Sequence, residues 1–333
     1  MPSPRRSAGP APLAVPAPML ATAGPVPVGE RWALELKWDG MRALARAAGP
    51  DPAQVTLVSR NRRTVTGSFP ELAAALAETV GGRGAVLDGE IVALSRPGPG
   101  APSRPSFDRL QLRMGVVRPA ATLVASVPVT FVAFDLLALE DTPLVDRPYA
   151  ERRALLDGLG LETHPRLRLS PSLEGLDADA AMALAADHGM EGVVAKRRDS
   201  VYRSGRSTSW VKTPLWRSTE AVIGGWVEGR GRQTGSLGAV VLGRPVPGGG
   251  LSYVGHVGTG FSDATRDRLR ELLVAAPRSE SPFTTAVPDQ RAVHWTAPVH
   301  VAEVRMRNWT DDGHLRHPSW RGLRPDRDPA ELA

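Results

Sequence analysis

The 333 residues predict an α+β chain in two parts, with antiparallel sheets and flanking helices first and a small β-barrel second. Three observations carry this reading. Length alone asks for about two domains, because single hydrophobic cores stop growing near this size. Up to about residue 213, apolar runs of strand character interleave with helical stretches. Beyond it, several short strands are split by glycine clusters around one helix, which fits a five-stranded barrel of the oligonucleotide-binding (OB) kind.

The elements follow in order. Trp32-Ala33-Leu34-Glu35-Leu36-Lys37 alternates as a strand, Asp39-Gly40 signals a turn, and Val55 to Arg60 returns as a second strand. Ser68 and Pro70 open a helix over Phe69 to Val80. Ala85 to Leu94 predicts a strand with Asp88 and Glu90 at its centre, and a Pro/Gly/Ser-rich loop covers 95–106. Phe107 to Met114 predicts a helix and Val129 to Leu137 a buried strand. Two helices follow, Tyr149 to Leu159 and Leu173 to His188, the second stopped by Gly189. Strands resume at Gly192 to Lys196 and Ser209 to Lys212. The second part predicts strands at Ala221 to Val227, Leu237 to Gly243, Leu251 to Val257 and Val299 to Trp309, with a helix over Ser262 to Val274. Six of the eight tryptophans lie between Trp210 and Trp320, where core or strand-facing anchors are the expected role.

These elements divide the chain into a leader over 1–17, a first domain over 18–213, a hinge over 214–220, a barrel over 221–328 and a tail over 329–333. The leader reads as disordered, not as a signal peptide, because Pro10, Pro12, Pro16 and Pro18 break any apolar core after Arg5 and Arg6. No apolar run is long enough to span a membrane, so no membrane partner is expected. There is no cysteine, which excludes disulfides and thiolate zinc sites and agrees with a cytoplasmic protein. A formal charge of +6, almost all from arginine, suits a polyanionic partner but does not identify one.

Lysine usage is more informative. There are three lysines against 38 arginines, and each lysine sits inside a motif. Lys37 opens Lys37-Trp38-Asp39-Gly40-Met41-Arg42, Lys196 closes Glu191-Gly192-Val193-Val194-Ala195-Lys196, and Lys212 ends Trp210-Val211-Lys212. A guanidinium stays protonated at any physiological pH, whereas an amine can lose its proton and act as a nucleophile. Where lysine survives an arginine-dominated background, amine chemistry is the expected reason.

The lysine motif has ordered company: Ser59-Arg60-Asn61, Asp88-Gly89-Glu90, Phe134-Asp135, Glu191-Gly192, Lys212, and Arg321-Gly322-Leu323-Arg324-Pro325-Asp326-Arg327. The series resembles the collinear motifs of the covalent nucleotidyltransferases, the superfamily of ATP-dependent DNA ligases, RNA ligases and mRNA-capping enzymes. It covers about residues 18–328. Pro18-Met19-Leu20-Ala21, Trp38 and the closing Trp320-Arg321-Gly322-Leu323-Arg324 are similar to the ligase module of bacterial end-joining ligases of the ligase D type. The expectation is that module alone, without polymerase and nuclease modules.

The resemblance implies an ATP-dependent DNA ligase in double-strand-break repair, with a nucleotidyltransferase (adenylation) domain followed by an OB barrel. Lys37 would be the nucleophile that takes AMP from ATP, exposed by the Asp39-Gly40 turn. Glu35, Arg42, Arg60, Glu90, Phe134, Glu191, Lys196 and Lys212 would surround the nucleotide. Within that set Phe134 stacks on adenine, Arg42 contacts ribose, and Glu90 and Glu191 suit ribose hydroxyls and a hard Mg²⁺ ion, with Mn²⁺ as an alternative. Arg42, Arg60 and Lys196 would reach nucleic acid, Arg60 at the phosphate of the nick. Asp326 and Arg327 would orient the pyrophosphate leaving group. The implied partners are nicked or broken duplex DNA and a Ku-like end-binding protein, with the ligase itself a monomer on the nucleoid.

Two departures stand out. Relatives commonly carry Lys-x-Lys after the tryptophan, whereas here Pro214 takes the second place, with Arg217 as a candidate substitute. Arg327 stands where many relatives have lysine, which keeps the charge. An NAD-dependent ligase is disfavoured by the absence of cysteine, since that family carries a four-cysteine zinc module. An RNA ligase or capping enzyme, and a catalytically weak nucleic-acid-binding remnant, are the competing readings.

Overall fold

The computed structural model describes residues 14–95, 103–140, 142–231 and 234–332, so most of the expected leader and the centre of the 95–106 loop lie outside the described residues. The chain divides into two units between Leu215 and Trp216.

The first unit begins β1 (Met19–Ala23), β2 (Trp32–Lys37), β3 (Met41–Ala47), β4 (Val55–Ser59), α1 (Pro70–Val80), β5 (Ala85–Ser95) and β6 (Arg104–Pro105). It continues α2 (Phe107–Gln111), α3 (Ala121–Ser126), β7 (Val129–Leu139), β8 (Thr142–Pro143) and α4 (Tyr149–Asp157). It closes with β9 (Leu167–Leu169), α5 (Ala178–Asp187), β10 (Gly192–Arg197) and β11 (Gly205–Pro214). A seven-stranded sheet runs β4-β3-β5-β7-β8 with β6 and β9 attached, and a four-stranded sheet runs β1-β11-β10-β2.

Alternation along the strands explains the layering. Ala43, Ala45, Leu87, Ile91, Phe131 and Ala133 pack on one face of the large sheet with Leu72 and Leu76 of α1. Leu44, Val86 and Phe134 point the other way and share a second core with Met19, Tyr202 and Trp210. The small sheet buries its far face, through Leu34, Leu36, Val193 and Ala195, under Ala181 and Ala185 of α5. The large sheet is thus buried on both faces, which is why β5 and β7 read as near-continuous apolar runs.

Two sequence expectations are corrected here. Asp39-Gly40 is not a hairpin turn: β2 pairs with β10 in the small sheet, and β3 pairs with β4 and β5 in the large one. The strand β3 was missed because its Ala- and Arg-rich residues have little β-propensity of their own; pairing on both sides supplies what propensity does not. The helix expected from Leu173 starts at Ala178 instead, with the Asp177 side chain accepting from Ala180 N at 2.8 Å. Gly175, at φ +75°, breaks the chain before it.

A buried ion pair ties this unit together. Asp135 on β7 accepts from Nε and Nη2 of Arg152 on α4, both at 2.8 Å, with neither residue exposed. Burial pushes the Asp135 carboxyl up and the Arg152 guanidinium pulls it back. Asp135→Ala is expected to cost about 3–5 kcal/mol, because it leaves a buried guanidinium unpaired. A urea midpoint for the first unit close to wild type would show that Arg152 finds other acceptors.

The second unit runs β12 (Arg217–Glu228), β13 (Leu237–Pro245), β14 (Leu251–Val257), α6 (Asp263–Val274), β15 (Val293–Met306), β16 (Asn308–Trp309), β17 (Leu315–Arg316) and β18 (Ser319–Leu323). Its five-stranded antiparallel sheet has the order β14-β13-β12-β15-β18. Trp320 N donates to Thr259 O at 2.9 Å, bringing the last strand back to the chain leaving β14. Trp226 and Trp320 are buried in this core, as Trp210 is in the first unit, whereas Trp216 is exposed. Of the stretch expected as a hinge, Arg217 to Glu220 lie within β12, paired to β15. Part of the expected tail folds as a 3₁₀ turn, Pro329–Leu332. Among the described residues no helix is long and apolar enough to cross a membrane.

Candidate active site

Lys37 is the last residue of β2, at the point where the chain leaves the small sheet for the large one. The crossing is tight. A Cβ on Gly40 would come within 2.3 Å of the Ile91 carbonyl oxygen and 2.9 Å of Glu90 Cγ, so only glycine lets the chain pass β5 this closely. Glu191 faces the lysine twice: its amide donates to Lys37 O at 3.0 Å, and its carboxylate forms an ion pair with Lys37 Nζ. Gly192, opposite Lys37 in the β10–β2 register, adopts φ +137°. A side chain there would strike Thr213 O at 2.2 Å, so this glycine lets β10 start with Glu191 aimed at the lysine.

Glu90 completes the group from β5. Burial pushes its carboxyl up to about 8 against the pull of Lys37 and Arg42, with Glu191 and Asp88 adding to the rise. The two cations and the carboxylates therefore share one electrostatic neighbourhood. A carboxyl that holds its proton more tightly when folded opposes folding increasingly as pH rises from its ordinary 4.5 to about 8, and fully above that. Glu90→Gln is expected to raise the thermal midpoint of the ligand-free protein above about pH 8 and to leave it unchanged near pH 4. A constant gap across that range would show that Glu90 is not the titrating group.

Beneath this surface lies a buried tier. Arg42 donates through Nε and Nη2 to Asp88, each at 2.6 Å, and through Nη2 to Met19 O at 3.0 Å. Tyr202 donates to the same Asp88 at 2.6 Å and accepts from Met19 N at 2.9 Å. Lys196 lies 2.7 Å from Glu35 Oε1 and donates to Phe134 O at 2.8 Å, inside a cage of Phe134, Tyr149 and Trp210 rings 4.6–4.9 Å away. Tyr149 also donates to Glu35.

This tier places three of the expected residues facing inward. Lys196 and Glu35 are each 2% exposed. They hold one another and the Phe134 backbone. Arg42 is committed to the fully buried Asp88, which leaves little of its guanidinium for DNA. Phe134 is itself 9% exposed, with Arg42 at 4.8 Å from its ring and Trp210 edge-on at 6.2 Å.

The other expected residues are placed as follows. Asp39 is half-buried in the crossing. Lys212 on β11 pairs in register with Val194 and Ala23, and Pro214 closes that strand opposite Gly192. Arg60 is exposed in the turn after β4 and makes no hydrogen bond or ion pair among the described residues. Asp326 and Arg327 belong to the second unit. Arg324 grips Asp326 through Nε at 2.9 Å and Nη2 at 2.7 Å, which holds the Asp326 carboxyl down at about 2. Arg327 donates to Glu220 at 3.1 Å.

Sequence reading gave no role to Asp88, Tyr149, Tyr202 or Glu220. A usable signal was present for two of them, since the chain has only three tyrosines and two lie in this tier. Glu220 carries no such signal.

The donor set fits a hard divalent cation. Glu90 and Glu191 flank the lysine from two sheets, and Mg²⁺ is commonly held by one or two carboxylates together with substrate phosphate oxygens. Together, a strand-end lysine between two carboxylates, a buried tier of paired cations and aromatic rings, and a following OB unit define a covalent nucleotidyltransferase. The chain belongs to the ATP-dependent DNA ligase family: residues 18–213 match the ATP dependent DNA ligase domain and residues 233–327 the ATP dependent DNA ligase C terminal region.

Relatives sharpen the placement. The multifunctional non-homologous end joining DNA repair protein LigD of Mycobacterium tuberculosis is 43% identical over 321 residues, which is 95% of this chain and 39% of the relative. Its counterpart in Pseudomonas aeruginosa is 35% identical over 322 residues, 95% of this chain and 36% of the relative. This chain thus spans well under half the length of these relatives. The crystal structure of the M. tuberculosis LigD ligase domain superposes with a TM-score of 0.52 at 41% identity, covering 95% of this chain and 97% of that one.

Proposed function

We propose that this chain is an ATP-dependent DNA ligase that seals 5′-phosphate/3′-hydroxyl breaks, and that it does so in double-strand-break end joining. The observation that carries the reading is Lys37, fixed at the sheet crossing between Glu191 and Glu90. In the first transfer the Lys37 amine attacks the α-phosphorus of ATP; an N–P bond forms as the P–O bond to pyrophosphate breaks, and the amine loses its proton. AMP then passes to a 5′-phosphate, and a 3′-hydroxyl displaces it to close the backbone.

Each transfer is in-line displacement at phosphorus, so positioning and charge neutralisation supply most of the rate. Glu191 holds the amine at the strand end, and the Asp88–Arg42 and Glu35–Lys196 pairs make the floor rigid. Mg²⁺, held by Glu90 and Glu191, would neutralise the phosphate oxygens. Phe134 would stack on the base, the role its family position implies. Lys212 and Arg60 extend positive charge toward the phosphates and the broken strand. Flexing near Leu215 and Trp216 would let Arg327, and Arg324 aimed by Asp326, act on the pyrophosphate in the first transfer and withdraw for the later ones.

The test uses nicked duplex DNA bearing a 5′-phosphate, with ATP and Mg²⁺. Sealed product is expected, together with loss of sealing when the 5′ end is a hydroxyl. Sealing confined to RNA would favour an RNA ligase, and DNA binding with no protein–AMP adduct would favour the remnant. The end-joining assignment rests on kinship with the LigD relatives. It predicts that a Ku-like end-binding protein stimulates joining of linear ends more than sealing of a nick.

A further inference from the structure

The second unit holds its closing motif through a residue outside that motif. Glu220 lies on β12, opposite Glu303 of β15, and is 22% exposed. One of its carboxylate oxygens accepts from Arg324 Nη1 and the other accepts from Arg327 Nε at 3.1 Å. The remaining acidic partners differ in kind. Asp326, bound to Arg324, and Glu331, 2.9 Å from Arg327, belong to the same segment as the arginines. Those pairs fold the segment onto itself. Glu220 is the side chain that ties both guanidinia to the sheet.

We propose that Glu220 is a positioning residue for adenylation: it sets Arg324 and Arg327 so that the closing motif meets pyrophosphate already ordered. The inference rests on the proposed role of Arg327 in the first transfer. The physical reason is entropic. Two long side chains a third exposed sample many rotamers when untethered, and a rigid strand carboxylate removes that freedom before substrate arrives. Splitting one carboxylate between two guanidinia also fixes their spacing, which single pairs within the segment cannot do.

The experiment compares single-turnover self-adenylation with sealing of a nick that already carries 5′-AMP, in Glu220→Ala, Glu220→Asp, Arg327→Ala and the Glu220→Ala/Arg327→Ala double variant of the full chain. Glu220→Ala is expected to slow self-adenylation by about tenfold to a hundredfold, the scale of a misplaced group, with pre-adenylated sealing within about twofold of wild type. Glu220→Asp should recover part of the rate, and the losses should be less than multiplicative in the double variant, because part of the Glu220 effect runs through Arg327 and only the part that runs through Arg324 remains to be lost. Should Glu220→Ala unfold the barrel, the isosteric Glu220→Gln carries the same comparison. Equal loss in both assays means that Glu220 merely holds the barrel together and overturns the proposal. So does an unchanged adenylation rate while Arg327→Ala is slow. If Arg327→Ala itself leaves adenylation untouched, the closing motif is not used in the first transfer, and the proposal falls with that reading.

Discussion

Incubated with ATP and Mg²⁺, the protein is expected to gain the mass of one adenylyl group, and Lys37→Arg to gain none. The argument is chemical as well as positional. Arginine would keep the positive charge beside Glu191, so the ion pair and the strand end survive the substitution. What it cannot supply is a neutral amine, because a guanidinium does not lose its proton at any pH that the protein tolerates. The predicted loss is therefore complete, with thermal stability close to wild type. Sealing of a nick already carrying 5′-AMP should persist in Lys37→Arg, since that step needs no lysyl adduct. An adduct of undiminished yield in Lys37→Arg would move the nucleophile to Lys196 or Lys212. The burial of Lys196 already argues against the first of these, because a 2%-exposed amine paired to Glu35 has no path to a phosphorus atom.

That contrast shows what the sequence could and could not reveal. Rarity marked all three lysines as chemically chosen, and the ordered motifs placed Lys37, Glu90 and Glu191 together, as they are in the structure. Rarity could not say which lysine faces substrate and which faces inward. Orientation follows from strand register, and a pattern of two apolar faces hides the alternation that would reveal it. The same limit explains Arg42, which the resemblance puts at ribose and nucleic acid while its guanidinium turns to Asp88 on the adjacent strand. In the barrel, β13 and β14 were legible nearly to their ends, whereas β12 and β15 begin several residues before their expected starts and β18 was not read as a strand. The Asp39-Gly40 crossing was legible as a turn but not as a change of sheet, because local chemistry is the same whether the next strand pairs back or pairs elsewhere. Glu220 was invisible for a simpler reason: its partners lie 104 and 107 residues away.

Loss of the closing motif should produce the second large effect, and it should be confined to one step. Arg327→Ala is expected to slow self-adenylation by about a hundredfold or more, the usual scale for removing one preorganised cation from a developing phosphate charge. Asp326→Ala should slow it less, for a reason visible in the structure. Its carboxyl is held at about 2 by Arg324, so it stays ionised at every working pH, and a bare carboxylate facing pyrophosphate would repel it. Asp326 therefore acts by aiming Arg324, and removing it frees a guanidinium without deleting one. Both variants should seal a 5′-adenylated nick at near wild-type rate, because pyrophosphate has left before that step begins. Adding salt separates this from a general loss of DNA affinity: loss of a phosphate contact would flatten the fall of DNA affinity with ionic strength, because fewer counterions are released on binding, whereas a defect in the first transfer leaves that slope unchanged. Equal losses in adenylation and sealing would show instead that the segment from Arg324 to Arg327 is a structural strap across the barrel. In that case the ion pairs to Glu220 would be its fastening, and its disposition toward ATP would have no part in the rate.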